Sequence, residues 1–183
     1  MLFPKPYADA VAKLRVPSGF LLVAAFAWLA SPTEQSLLLG VPVSIVGLVL
    51  RAWAAGHLAK NQQLAIGGPY AYVRNPLYVG TLLVAAGLVI ATRRVELAIL
   101  FAAVFFFVYL PVIQNEEQHL RKIFPGYAQY ADRVPALFPY RSPLPSVGKF
   151  QPSLYVRNQE YQALIGYLLG LAYLVWKIIN WNF

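Results

Sequence analysis

The stretch PLYVGTLLVAAGLVIATRRVELAILFAAVFFFVYLPVIQ, residues 76–114, decides the fold. It holds two apolar runs, Pro76–Ala91 and Val95–Gln114, with only Thr92, Arg93 and Arg94 between them. A helix crossing a bilayer core of about 30 Å needs roughly 17–25 predominantly apolar residues. So short a connection holds two such helices antiparallel, and the stretch predicts a membrane hairpin. Working outward, Ser36–Leu58 reads as a preceding span, interrupted by Arg51, and Pro17–Ala30 as a first. Lys5, Lys13 and Arg15 ahead of that first run give it the look of a signal peptide. Cleavage after Ala30 would put bulky Trp28 where a small residue is required, so the span is expected to be retained. Tyr161–Ile179 reads as a fifth span after a polar stretch long for a loop. The expectation is an all-α integral-membrane helical bundle of about five transmembrane helices.

Composition agrees. Of 183 residues, 59% are hydrophobic and 12% charged, about half the roughly 25% charge of a soluble domain. That excludes an ordinary soluble domain, and the abundance of large apolar residues excludes disorder. Cysteine is absent, which removes disulfides, Cys-ligated zinc, iron–sulfur clusters and thiol catalysis. The net charge of +8 has a topological cause, because Lys and Arg collect beside spans on the cytoplasmic side. With the N-terminus inside, eleven Lys and Arg fall on inner segments and three (Arg93, Arg94, Lys177) on outer ones. The chain is thus expected to sit in a bacterial inner membrane or an ER-like membrane, with no nucleic-acid partner. It reads as a single membrane domain, 1–183: the first span and start of the second over 1–46, a core over 47–140, and a polar connection plus last helix over 141–183.

Two inner segments, His57–Tyr78 and Asn115–Tyr140, combine Gly and Pro punctuation with tyrosines and charge. Gly67-Gly68-Pro69-Tyr70 reads as a tight turn. Arg74-Asn75-Pro76 opens the third span, with Pro76 in its first turn, where the missing N–H costs nothing. The positive end of that helix would favour an anionic group. Glu116 and Glu117 fall at the end of the fourth span, where carboxylates oppose the helix dipole. Something positive should offset them: Arg74, Arg51 or a cationic ligand. His57 and His119 are the only histidines. A metal site would need both plus Glu116 or Glu117, so no metal is expected. Tyr127, Tyr130 and Phe138 read as a lid or as interfacial packing.

GGPYAYVRNPLYVG followed by NEEQHLRKIFPGYAQYADRVPALFP resembles the integral-membrane methyltransferases typified by isoprenylcysteine carboxyl methyltransferase and phospholipid (phosphatidylethanolamine) N-methyltransferase. The shared signature is Arg-His-Pro-x-Tyr-x-Gly, a helical hairpin, then Glu-Glu. Its counterparts here are Arg74-Asn75-Pro76-Leu77-Tyr78-Val79-Gly80 and Glu116-Glu117, with Leu120, Phe124, Gly126, Tyr127, Tyr130 and Pro139 beyond. The resemblance implies S-adenosylmethionine bound at the cytoplasmic face. Carried over by position, it implies cofactor contacts from Gln62, Gln63, Leu64, Ala65, Tyr70, Asn75, Pro76, Leu77, Tyr78 and Glu116, with catalytic roles on Arg74, Asn75, Glu116 and Glu117. Glu116 would pair with the cofactor's ammonium, while Arg74 and the span-three N-terminus receive its carboxylate.

Two positions depart from the pattern. Asn75 stands where the motif has His, and Val112 where the prenylcysteine enzymes have a substrate-contacting Arg. The expected reaction is therefore methyl transfer to a lipophilic, membrane-partitioned acceptor, with a phospholipid amine favoured over a prenylcysteine-like molecule. An NADPH-dependent membrane reductase akin to the sterol reductases, or a non-catalytic scaffold, are the rival readings. Gly80, Gly87, Gly166 and Gly170 would permit close helix packing, and Gly166-Tyr-Leu-Leu-Gly170 a homodimer.

Overall fold

The computed structural model describes residues 3–145 and 148–181. All regular structure among them is helical. In chain order come α1 (Lys5–Ala12), α2 (Arg15–Leu29), α3 (Glu34–Ala55), α4 (Pro76–Thr92), α5 (Val95–Val104), a π-helical turn (Phe105–Tyr109), α6 (Leu110–Ile123), α7 (Tyr127–Arg133), α8 (Pro152–Arg157) and α9 (Tyr161–Trp181). A 3₁₀ turn, Gly68–Ala71, precedes α4. The segment α5–π–α6 is one helix, Val95–Ile123, of 29 residues. With α3 and α9 it makes three helices long and apolar enough to cross a membrane, and α1 and α2 together reach a fourth, bent by 57°. At 17 residues, α4 is about 26 Å long, just short of the hydrocarbon core. The chain is an all-α integral-membrane bundle: of the about five spans expected, three are long enough singly, α1 and α2 count as a bent pair, and α4 is a shorter apolar helix.

Two compact units share the chain. One comprises residues 1–42, 85–119 and 170–183, the other 43–84 and 120–169. In the first unit, Val11, Val104 and Val108 form one apolar cluster and Ala30, Ala91 and Leu174 another. The turn after α4 is pinned there by Ser36, whose hydroxyl donates to the Ala91 carbonyl at 2.7 Å. Arg93, between α4 and α5, takes a left-handed φ of 57°.

In the second unit α3 and α4 cross at glycines. A Cβ on Gly47 would lie 2.6 Å from the Gly80 carbonyl oxygen and 2.7 Å from the Val84 nitrogen. The stem of Arg51 lies where a Gly80 Cβ would be. The motif's final glycine is thus explained by its neighbour helix. Gly80 packs within the chain, whereas Gly166 has nothing within 4 Å of its Cβ position.

Two sequence expectations change. The fourth apolar run continues as helix to Ile123, so Glu116 and Glu117 are interior to it. Arg121 and Lys122 occupy its last turn, where cations suit the dipole. The long polar stretch after Gln114 is nearly half helical, in the end of α6, α7 and α8.

Candidate functional site

The residues ahead of α4 are built around the turn at Gly67-Gly68. Gly68 has φ 56°, the left-handed region that glycine adopts without penalty. Its missing side chain also leaves room for His57, whose ring would sit 2.8 Å from a Cβ there. The His57 Nδ1 lies 2.9 Å from the Trp53 carbonyl oxygen, so Nδ1 carries the proton, and its ring meets Phe150 edge-on. His57 thereby joins the end of α3 to the turn. Gly68, Pro69, Tyr70 and Ala71 are all buried.

A second layer closes over this turn. Tyr127, Tyr130 and Val134 pack with Leu64, Leu120, Phe124, Ala131 and Leu144. The Tyr130 hydroxyl donates to the Tyr70 carbonyl at 2.8 Å. The Arg74 guanidinium donates to the carbonyls of Ala131 (2.8 Å) and Val134 (2.7 Å). The backbone N–H of Arg74 bonds the Pro135 carbonyl and that of Asn75 the Ala136 carbonyl. The Asn75 side-chain amide adds a bond to Ala136 at 3.3 Å. Tyr127 and Tyr130 are core residues of this layer, and only Phe138 of the expected lid is exposed.

The expected open anion site at the α4 N-terminus is therefore largely filled. The two N–H groups ahead of Pro76 are taken by residues 135 and 136, and those of Tyr78 and Val79 bond the Asn75 carbonyl. Arg74 works as a clamp on segment 131–136. The charges in the helices have partners that patterning missed. Arg51 pairs through Nε with Glu160 at 2.5 Å, and its Nη1 bonds the Thr81 hydroxyl and the Leu77 carbonyl. Glu116 lies 3.5 Å from Arg15, an ion-pair partner that the sequence pattern did not point to. Arg15–Glu116 and Arg51–Glu160 join residues about a hundred positions apart, and no local spacing could have found them.

Beyond α3 the chain opens a cavity. It has a volume of about 410 Å³ and is walled by Gln62, Gln63, Gln151, Ser153 and Arg157 over Ala59 and Leu154. Small-molecule sites typically measure about 300–1,000 Å³. The Gln62 amide oxygen, oriented to satisfy both groups, accepts from the two terminal nitrogens of Arg157 at 2.7 and 3.1 Å. α8 is held there by Asn158, whose side-chain amide donates to the carbonyls of Ala55 (3.0 Å) and Leu58 (2.9 Å). The Gln151 N–H adds a bond to the Gly56 carbonyl at 2.9 Å. Of the implied cofactor residues, Gln62 and Gln63 face this cavity, Leu64 joins the tyrosine cluster, and Tyr70 and Asn75–Tyr78 lie in or after the buried turn. Glu116 and Glu117 belong to the other unit. Val112 is buried.

Helices long and apolar enough to cross a membrane, with a clamped turn ahead of α4 and a polar cavity beyond α3, define an integral-membrane protein. The chain belongs to the family of integral-membrane methyltransferases that includes isoprenylcysteine carboxyl methyltransferase and phospholipid methyltransferase. The phospholipid methyltransferase family model matches residues 36–126. Among curated proteins, the chain is 39% identical over 104 residues to the cobalt-zinc-cadmium resistance protein CzcN of Cupriavidus metallidurans, covering 56% of this chain and 47% of that protein. It is 35% identical over 136 residues to the nickel-cobalt-cadmium resistance protein NccN of Alcaligenes xylosoxydans xylosoxydans, covering 69% and 62%. Protein-S-isoprenylcysteine O-methyltransferase of Schizosaccharomyces pombe is 30% identical over 141 residues, covering 74% and 59%. The chain thus spans about half to three-fifths of the length of these relatives. No solved structure matches it.

Proposed function

We propose that this chain transfers a methyl group from S-adenosylmethionine to a lipophilic acceptor drawn from the membrane, at the cytoplasmic face. The cavity beside Gln62 and Gln63, in the same unit as the clamped motif Arg74–Gly80, is the observation that carries this reading. Its amides, hydroxyl and guanidinium suit the polar end of a zwitterionic cofactor, so the donor set fits. When bound, the cofactor supplies an electrophilic methyl carbon.

The protein's share is to bind, orient and exclude water. Gln62, Gln63, Leu64 and Ala65 would line the cofactor strip. Tyr70, Asn75, Pro76, Leu77 and Tyr78 would hold the cofactor from the buried turn and the start of α4. Glu116 would supply the carboxylate for its ammonium, with Glu117 beside it. Arg74 acts by position: its bonds to residues 131 and 134 keep segment 131–136 on the turn. Asn75 offers hydrogen bonds and no titratable group, so the acceptor's proton must leave by another route. The buried apolar Val112 gives no partner to a substrate carboxylate, which favours a phospholipid amine as acceptor.

Calorimetric titration of the purified protein in detergent with S-adenosylhomocysteine is the test. Saturable binding is expected, weakened about tenfold or more by Glu116→Gln, as befits loss of a charge-assisted bond. No binding to the unaltered protein would overturn the reading. Efficient methyl-ester formation on a prenylcysteine analogue would overturn the choice of acceptor.

A further inference from the structure

The cavity beyond α3 carries a charge that the motif does not account for. Arg157 lies in its wall, outside the stretch 36–126 that the family model matches. Its guanidinium is bonded to an uncharged amide, Gln62. The carboxylate three residues on, Glu160, is committed to Arg51. The other polar groups in the wall, from Gln62, Gln63, Gln151 and Ser153, are neutral and can all donate hydrogen bonds. A cation ringed by neutral donors is a receptor for an oxyanion, and a planar guanidinium engages a carboxylate or phosphate through two parallel bonds.

Placement points the same way. Gln62 lies seven residues beyond the end of α3 and Arg157 four before the start of α9. Asn158 ties those two helix ends together. Both helices are long enough to cross a membrane, so their joined ends lie where the apolar layer gives way to headgroups. Arg74, the basic residue that opens the motif, is bonded to carbonyls of segment 131–136.

We infer that this cavity is an oxyanion receptor in which Arg157, aided by Gln62, Gln63, Gln151 and Ser153, binds the carboxylate or phosphate end of a ligand. Two sources offer that chemistry: the α-carboxylate of the cofactor and the phosphodiester of a lipid headgroup. Only the first rests on the proposed methyltransferase reading.

The full chain in a non-ionic detergent separates them. Unaltered protein, Arg157→Gln and Arg157→Lys are each titrated with three probes. These are S-adenosylhomocysteine, 5′-methylthioadenosine (which lacks the amino-acid end) and dihexanoylphosphatidylglycerol. A carboxylate receptor predicts that Arg157→Gln weakens S-adenosylhomocysteine about tenfold or more, leaves methylthioadenosine unchanged, and is partly rescued by Lys. A phosphate receptor predicts the same loss for the phospholipid instead. The inference is overturned if Arg157→Gln shifts neither ligand by more than about twofold, or if the unaltered protein binds neither. In the first case, intact S-adenosylhomocysteine binding leaves the methyltransferase reading standing. Unchanged elution and tryptophan fluorescence of the variants show that an exposed side chain was replaced without unfolding.

Discussion

Replacing Glu160 with Ala removes half of the ion pair that holds the start of α9 to α3. The side chain of Glu160 is 9% exposed and that of Arg51 22%, so water screens the pair weakly. Deleting one partner of a buried pair costs about 3–5 kcal/mol, because the other charge is left uncompensated. Arg51 would keep the Thr81 hydroxyl and the Leu77 carbonyl. That puts the expected loss for Glu160→Ala at the lower bound, about 3 kcal/mol. Glu160→Gln keeps an acceptor and loses only the charge. Charged hydrogen bonds contribute about 1.5–3 kcal/mol against about 1 for neutral ones, so its cost is about 1–2 kcal/mol. Arg51→Met combined with Glu160→Leu should recover most of the loss, since no charge is then buried alone. Unfolding in mixed micelles titrated with dodecyl sulfate, followed by tryptophan fluorescence, gives these differences. Stability of Glu160→Ala within about 0.5 kcal/mol of the unaltered protein, the range of ordinary surface changes, would refute the argument. So would a double variant less stable than Glu160→Ala.

Two glycine substitutions test the packing around the motif. Gly47→Ala is expected to destabilise by about 1–3 kcal/mol, because its Cβ meets the backbone of α4, which cannot turn aside as a side chain would; a micelle titration matching that of the unaltered protein would argue against the close crossing. Gly68→Ala should cost about 1–2 kcal/mol for the left-handed φ alone and more from contact with His57. It should also lower S-adenosylhomocysteine affinity by disturbing the Tyr70 turn, and unaltered affinity would separate the turn from the cofactor site.

Hydropathy determined by itself that this is a helical membrane protein, because a long apolar run has one stable fate in a bilayer. The stretch 76–114 shows this, with its helices starting at the predicted residues. The motif residues 67–80 were also legible, since Gly, Pro and Asn punctuate a turn and a helix start whatever surrounds them. Helix ends were less so: Glu116 and Glu117 looked terminal from apolarity, yet the helix runs on to Ile123 because hydrogen bonding continues where hydrophobicity stops. Partners of charged groups were decided by tertiary structure alone. Arg51 meets Glu160, Arg15 meets Glu116, and Arg74 meets carbonyls of residues 131 and 134, all through the approach of segments distant in sequence. The cavity joining Gln62 to Arg157 has the same origin. A short polar helix with no motif becomes part of a site because Asn158 fastens it to the end of α3.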